Sequence, residues 1–241
     1  MVERRGRSLG HPVRFRVGST LLRRASAALM RRLWRVRWQT DEIEERALRL
    51  LRPSRMSIPY TWPLIPDECP CDIHFCDYLE TRAIRRRSIF HFGTGLHHVV
   101  GLRNRDATWE NEILAITASP REHASYVRKA VGDAALGRHY KVLFADIYNL
   151  GATSLASFDV VTLFHLCEFT PRGTPETRLD DAGVLDLLLS KLTESGCVIF
   201  YEGSYGFERT ASLIEKAVAH GRISFAERYE SLLVYRAGPG R

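Results

Sequence analysis

Lysine is scarce in this sequence: only four of its 35 basic residues are lysines, and the rest are arginines. Long apolar runs are missing, since no stretch of about 18 uncharged apolar residues occurs, and this excludes a predicted membrane-spanning helix. The five cysteines are an odd number without the spacing of a disulfide framework, which indicates a reducing compartment. The composition, with 45% apolar and 26% charged residues, predicts a globular bacterial protein of the cytoplasm.

The positive charge is confined to the N-terminal arm, residues 1–55. This arm holds 15 arginines and 5 acidic residues, a net charge of +10, whereas the remaining residues sum to −3. Because the main part of the chain is slightly acidic, we expect any anionic surface to be met by the arm.

Within the arm, residues 19–38 have the apolar period of an amphipathic helix. The apolar positions that recur every three or four residues are Leu22, Ala25, Leu29, Leu33 and Val36. Four interpretations stay open: docking on the main domain, peripheral binding to an anionic inner-membrane surface, nucleic-acid binding, and an organellar transit peptide. A short helix over 40–51 and a proline-rich linker over 53–70 follow. We therefore divide the chain into an extension and linker, residues 1–71, and a main domain, residues 72–241.

The densest set of potential metal ligands comprises Cys69, Cys71, His74 and Cys76. Thiolates with imidazole suit zinc or an iron–sulfur cluster. Structural zinc sites usually pair two such knuckles, however, and no second pair follows. Asp72 is suited to cap a helix that carries His74 and the residues after it. The sequence favours a structural helix with incidental thiols, and no metal is predicted.

From residue 88 onwards, predicted strands and helices alternate. The expected strands cover 88–92, 112–117, 141–145, 159–163, 197–201, 223–229 and 232–235; the main helices cover 120–131, 179–192 and 208–220. The turn near Glu230-Ser231 is too short for a parallel crossover, so the last two strands form an antiparallel hairpin. This predicts an α/β fold with a seven-stranded, mostly parallel sheet, a C-terminal antiparallel hairpin and helices on both faces.

The first strand runs directly into Gly93-Thr94-Gly95, where the backbone can approach a ligand closely. Together with the order of elements, this loop resembles that of the class I S-adenosylmethionine-dependent methyltransferases over residues 72–241. The resemblance implies a Rossmann-like fold and S-adenosylmethionine as cofactor. The cofactor-binding residues that it implies are His91, Gly93, Thr94, Gly95, Thr117, Ser119, Asp146, Ile147 and His165. Asp146 and Ile147 correspond to the pair that contacts adenine, and Thr117 to Ser119 to the region that contacts the ribose.

The sequence departs from the family at three positions of this site. His91 stands where the family usually has an acid, and His97 where it often has a glycine. Thr117 replaces the acid that usually ends the second strand. A nicotinamide oxidoreductase is disfavoured, because the third glycine of its fingerprint is absent.

For catalysis, His165 is the predicted general base, because histidine titrates near neutrality and this one follows the fourth strand. Glu202 and Tyr205, after the fifth strand, are predicted to orient the substrate. We expect a methyl acceptor that is a small molecule, or a lipid-linked or glycan group, with a hydroxyl or amine. No Asn/Asp-Pro-Pro-Tyr/Phe motif follows the fourth strand, and nucleic acid is a disfavoured partner. The alternatives are a non-catalytic methyltransferase-like partner protein and an RNA methyltransferase that uses the arm.

Overall fold

The computed structural model describes residues 64–105, 108–169 and 178–239. The predicted helices of the arm, over 19–38 and 40–51, and the linker up to residue 63 lie outside the described residues. No helix among those described is both long and apolar enough to cross a membrane.

Seven strands and six α-helices alternate along the described residues. In chain order they are α1 (Cys71–Thr81), β1 (Ser88–Phe92), α2 (Val99–Asn104), β2 (Glu112–Thr117), α3 (Pro120–Gly132), α4 (Ala134–His139), β3 (Tyr140–Phe144), β4 (Phe158–Thr162), α5 (Asp181–Leu189), β5 (Leu192–Tyr201), α6 (Phe207–Ala219), β6 (Ile223–Tyr229) and β7 (Leu232–Ala237). Two 3-10 turns, Ile147–Asn149 and Ala152–Ser154, follow β3.

All seven strands form one sheet, in the order β3-β2-β1-β4-β5-β7-β6. Strands β1 to β5 pair in parallel, whereas β7 is antiparallel to both β5 and β6. The predicted fold class is therefore confirmed, including the closing hairpin. The hairpin places β7 next to β5 and leaves β6 at the edge.

The sheet is covered on both faces, as its alternating side chains require. Ile89 packs into one apolar cluster with side chains of α1, α2 and α4. Its neighbour Phe90 packs into the other, with side chains of α5 and α6. Burial of each large apolar side chain contributes about 1.5–3 kcal/mol, so the two layers hold the strand ends in fixed positions.

Local signals explain where several elements begin. Ser119 caps α3 by accepting a hydrogen bond from the Glu122 N–H, and Pro120 occupies the first turn, as predicted. Asp180 caps α5 through the Gly183 N–H, so this helix begins at Asp181 and not near residue 179.

Three further details differ from the sequence-based expectation. β3 and β4 each begin one residue earlier, and β5 begins at Leu192, because its first residue pairs with Phe158 before a register shift. The short helix α4 was not predicted, since six residues carry too little periodic pattern. Asp72 does not cap α1: Pro70 is the N-cap residue, and Asp72 is a buried residue of the first turn.

Candidate functional site

The predicted site residues lie at or after the carboxyl ends of strands β1 to β5, on one edge of the sheet. The chain crosses to β2 on one side of β1 and later to β4 on its other side, so the strand order reverses there. Open α/β sheets bind ligands at such a switch point. A surface depression of about 630 Å³ lies instead near the amino end of β5, and no predicted site residue lines it.

The glycine loop after β1 adopts a backbone that requires glycine. Gly93 has φ +94° and Gly95 φ +50°, values that side chains disfavour. The ring of His97 lies over Gly95, so that a Cβ there would be 2.3 Å from its Nε2. The loop therefore brings bare backbone to the site, partly covered by an imidazole.

A buried carboxylate ties this loop to the end of β2. Glu122 Oε2 accepts hydrogen bonds from Thr117 Oγ1 at 2.6 Å and from Thr94 Oγ1 at 3.1 Å. The Ser119 N–H donates to Thr117 Oγ1. Glu122 was not among the predicted site residues, although the spacing Ser119-x-x-Glu122 is that of a capping box and could have indicated it.

A second acid faces the loop from α1. Asp72 Oδ1 lies 3.6 Å from His91 Nε2, and its Oδ2 lies 3.7 Å from His97 Nε2. His91 Nδ1 contacts Thr162 Oγ1 at 2.8 Å, whereas its Nε2 has no hydrogen-bond partner among the described residues. Burial lowers the pKa of His91 to about 3 and that of His97 to about 4, while it raises the pKa of Asp72 to about 7.

After β3, Asp146 and Ile147 occupy the predicted positions at the same edge. Asp146 accepts a hydrogen bond from the Tyr148 N–H, which caps the 3-10 turn. Ile147 is 4% exposed. Asp146 is thus a turn cap in this structure, and its placement is also that of the adenine-contacting acid implied by the resemblance.

His165 stands just beyond β4 and contacts groups from three segments. Its Nδ1 is 3.1 Å from Glu168 Oε1, off the ideal hydrogen-bond direction, and its Nε2 is 3.8 Å from the Cys71 sulfur. Glu168 Oε1 also accepts hydrogen bonds from Ser204 Oγ at 2.6 Å and the Tyr205 N–H at 3.0 Å. Burial lowers the pKa of His165, but Cys69 and Glu168 outweigh it and raise this pKa to about 10.

Two thiols complete this cluster. The sulfurs of Cys69 and Cys71 are 3.5 Å apart, and both lie beside the imidazole of His165. The hydrogen bond with Cys71 lowers the pKa of Cys69 to about 5, against burial and with help from His165. Both shifts act in the direction of a Cys69 thiolate beside a protonated His165. The predicted role of His165 as general base requires its neutral form.

The other two predicted catalytic residues are oriented differently. The Glu202 carboxylate lies 2.6 Å from Nη2 of Arg228, on the hairpin. The side chain of Tyr205 is 90% exposed, and this residue reaches Glu168 only through its backbone. Ser204, between them, donates its hydroxyl to Glu168, a contact that no sequence pattern indicates.

The other two potential ligands of the cysteine-rich segment point elsewhere. Nδ1 of His74 is 2.8 Å from Ser231 Oγ, at the hairpin turn. Cys76 is 3% exposed in the core under α1, where burial raises its pKa. The structure thus splits the set Cys69, Cys71, His74 and Cys76, and replaces two of its members with His165.

No protein-family profile matches the sequence, and no curated protein is significantly similar to it. Solved structures are similar in fold. Magnesium protoporphyrin IX methyltransferase from Synechocystis PCC 6803, with bound S-adenosylmethionine, has a TM-score of 0.50 and 14% identity, covering 76% of this chain and 90% of that one. The branched-chain polyamine synthase C9 mutein from Thermus thermophilus, in complex with N4-aminopropylspermidine and 5'-methylthioadenosine, has a TM-score of 0.50 and 13% identity, covering 74% and 61%.

A third solved structure, coclaurine N-methyltransferase bound to N-methylheliamine and S-adenosylhomocysteine, is similar over 54% of this chain, with 16% identity and a TM-score of 0.39. The present chain spans only 35% of its length. The similarities to the first two structures, each with a TM-score of 0.50, show a common fold.

Proposed function

We propose that this chain, which has the Rossmann-like fold of class I S-adenosylmethionine-dependent methyltransferases, is itself such an enzyme. The observation that carries the proposal is a shared location. The glycine loop after β1, Asp146-Ile147 after β3 and His165 after β4 lie on one edge of a sheet whose strand order reverses there. Two proteins of the same fold hold S-adenosylmethionine or 5'-methylthioadenosine, which supports an adenosyl sulfur compound as ligand.

The residues present fit this cofactor. Gly93 and Gly95 leave bare backbone at the loop, Asp146 offers a carboxylate beyond β3, and the buried Ile147 next to it offers an apolar surface. Glu122 supplies an acid beside Thr117, where the end of β2 offers only a hydroxyl. Bound there, S-adenosylmethionine would supply a methyl group activated by its cationic sulfur.

The proposed acceptor is a small molecule, or a lipid-linked or glycan group, with a hydroxyl or amine. The residues outside the arm carry a net charge of −3, and this slightly acidic domain supports an acceptor other than duplex nucleic acid. Among the groups of the site, Asp72 is the one that can exchange a proton near neutral pH, because burial raises its pKa to about 7. The Cys69 thiol, whose pKa is lowered to about 5, lies beside His165, which contacts Glu168. His165 is therefore proposed to set the charge state of the site.

Calorimetric titration of the full chain with S-adenosylmethionine and S-adenosylhomocysteine tests the proposal. We expect Gly93→Val to lower affinity more than about tenfold, since a β-branched residue at φ +94° is strained by roughly 1–3 kcal/mol. Asp146→Ala should weaken binding similarly. Asp133→Ala is the matched control, because Asp133 also caps a short helix (α4) but precedes β3, away from the site. Absence of binding by the unmodified chain would contradict the proposal.

Methyl transfer itself is tested with tritiated S-adenosylmethionine and fractionated polar-metabolite and lipid extracts. We expect label in a small-molecule or lipid fraction, and its loss in His165→Ala with cofactor affinity changed less than about threefold. Binding without transfer to any fraction, in the unmodified chain, would support the non-catalytic alternative instead.

A further inference from the structure

Three potential metal ligands from distant parts of the sequence share one point of the structure. Cys69 and Cys71 lie at the N-terminal end of α1, whereas His165 follows β4, 94 residues after Cys71. One ligand atom from each lies within 4.8 Å of the other two. Cys71 is 2% exposed and Cys69 is half-buried. The cluster thus lies at the inner end of the candidate site.

The distances between these atoms are those of a tetrahedral zinc site. With zinc–sulfur bonds of about 2.3 Å and zinc–nitrogen bonds of about 2.0–2.1 Å, tetrahedral ligands are about 3.8 Å apart for two sulfurs and about 3.6 Å for sulfur and nitrogen. The observed separations are 3.5 Å between the sulfurs and 3.8 Å from Cys71 Sγ to His165 Nε2. These two separations depart from the tetrahedral values by about 0.2–0.3 Å. The third, between Cys69 Sγ and the imidazole of His165, is within 4.8 Å.

The surroundings of His165 are those of a metal-ligating histidine. Its second nitrogen, Nδ1, faces Glu168, and that carboxylate is fixed by Ser204 and by the Tyr205 N–H. Such a carboxylate behind a histidine sets its tautomer and leaves the other nitrogen free for a metal. Two thiolates also balance the charge of a divalent cation, which lowers the cost of holding it out of water.

We propose that Cys69, Cys71 and His165 bind one Zn²⁺ ion, with Glu168 as the residue that orients His165. Three protein ligands leave a fourth tetrahedral position for water or for an atom of a bound substrate. Asp72 Oδ1 lies 3.8 Å from the Cys71 sulfur. Only the following consequence rests on the proposed methyltransferase function: a hydroxyl of the acceptor bound at the metal would pass its proton to water and remain at the metal as an alkoxide, without a histidine base.

Metal analysis of the full chain tests the site. After removal of metal with a chelator under reducing conditions, we expect Zn²⁺ to bind at about one ion per chain. Co²⁺ should give thiolate charge-transfer and d–d absorption bands of a tetrahedral site. Cys69→Ser, Cys71→Ser and His165→Ala should each lose this absorption, and Glu168→Gln should keep it while Zn²⁺ affinity falls about 10- to 100-fold.

Matched controls separate this site from the other thiols. Cys197→Ser changes a half-buried cysteine of β5, and His74→Asn changes the histidine that contacts Ser231; both should bind metal as the unmodified chain does. Circular dichroism of each metal-free variant checks that it is folded. The proposal is overturned if the reduced chain binds no stoichiometric metal, if Cys69→Ser/Cys71→Ser retains it, or if mass spectrometry finds those cysteines joined in a disulfide that persists under reduction.

Metal binding and cofactor binding can fail separately. Stoichiometric Zn²⁺ without affinity for S-adenosylmethionine would leave the metal site standing and contradict the proposed function. Binding of S-adenosylmethionine by a chain that binds no metal would leave the proposed function standing and contradict the metal site.

Discussion

Two acids at the candidate site, Asp72 and Glu122, belong to helices and not to the strand ends where the family usually has them. The sequence places His91 and Thr117 at positions that are usually acidic in the family that the chain resembles. In the structure, Asp72 from α1 faces His91, and Glu122 from α3 accepts a hydrogen bond from the Thr117 hydroxyl. Each of these two positions thus has a carboxylate beside it, supplied by a helix.

The role of Glu122 gives a prediction at the level of one residue. The hydroxyls of Thr94 and Thr117 both donate to one oxygen of Glu122. A glutamine oxygen there would accept them without the negative charge that strengthens the two hydrogen bonds, so Glu122→Gln should cost about 1–2 kcal/mol of stability. It should also lower the affinity for S-adenosylmethionine about tenfold, because the hydrogen bond that holds the glycine loop through Thr94 becomes weaker. Urea unfolding and calorimetry measure the two effects. Glu208→Gln, in the exposed first turn of α6, is the control and should change neither.

His98 gives a prediction of pH dependence. Its Nε2 donates to the Glu122 carbonyl, its Nδ1 faces the Tyr140 hydroxyl, and burial lowers its pKa to about 4. A histidine whose pKa is depressed by folding stabilises the fold above its unfolded pKa of about 6.5, and this stability is lost as pH falls towards 4.

Between pH 7 and pH 4.5 we therefore expect the free energy of unfolding of His98→Asn to fall by about 2 kcal/mol less than that of the unmodified chain. Urea unfolding at both pH values measures the difference. Asparagine tolerates the φ of +49° at this position. His220→Asn, exposed at the end of α6, should follow the unmodified chain. Parallel pH profiles for all three proteins would contradict the prediction.

At the scale of elements, the start of α3 links the sheet edge to the loop. Ser119 accepts the Glu122 N–H and so fixes the first turn from which Glu122 reaches Thr94. Ser119→Ala should cost about 1 kcal/mol in urea unfolding, the usual contribution of a helix N-cap. Ser212→Ala, at an exposed interior position of α6, should be neutral or slightly stabilising, because alanine is the better helix former. Equal effects of the two substitutions would argue against a capping role.

At the scale of the whole molecule, charge divides the chain into a strongly basic arm and a slightly acidic domain. Each basic group near an anionic membrane surface contributes about 1 kcal/mol. Replacing Arg31, Arg32 and Arg35 with glutamine should therefore lower flotation with phosphatidylglycerol-containing vesicles at least about tenfold, with no effect on neutral phosphatidylcholine vesicles.

Replacement of Arg85, Arg86 and Arg128, which are exposed on the domain, is the charge-matched control and should leave flotation intact. Unchanged flotation of the arm variant would contradict the membrane interpretation. An RNA gel shift that depends on the same three arm residues would favour nucleic acid.

The sequence by itself determined the class of fold. β1 and β2 occupy the expected residues, and the hairpin follows from a turn too short for any parallel connection. These features depend on local patterns, namely alternating apolar residues, helix caps and turn length, and such patterns are readable in one dimension. The location of the site follows in the same way, because the ends of successive parallel strands must share an edge.

Only the tertiary structure decided which side chains meet at that edge. Cys69 and Cys71 lie beside His165 and not beside His74 and Cys76, and Glu122 supplies the acid that β2 lacks. No local pattern determines these choices. They depend on the direction in which each side chain leaves its helix or loop, and that direction is fixed by the packing of α1 and α3 against strands far away in sequence.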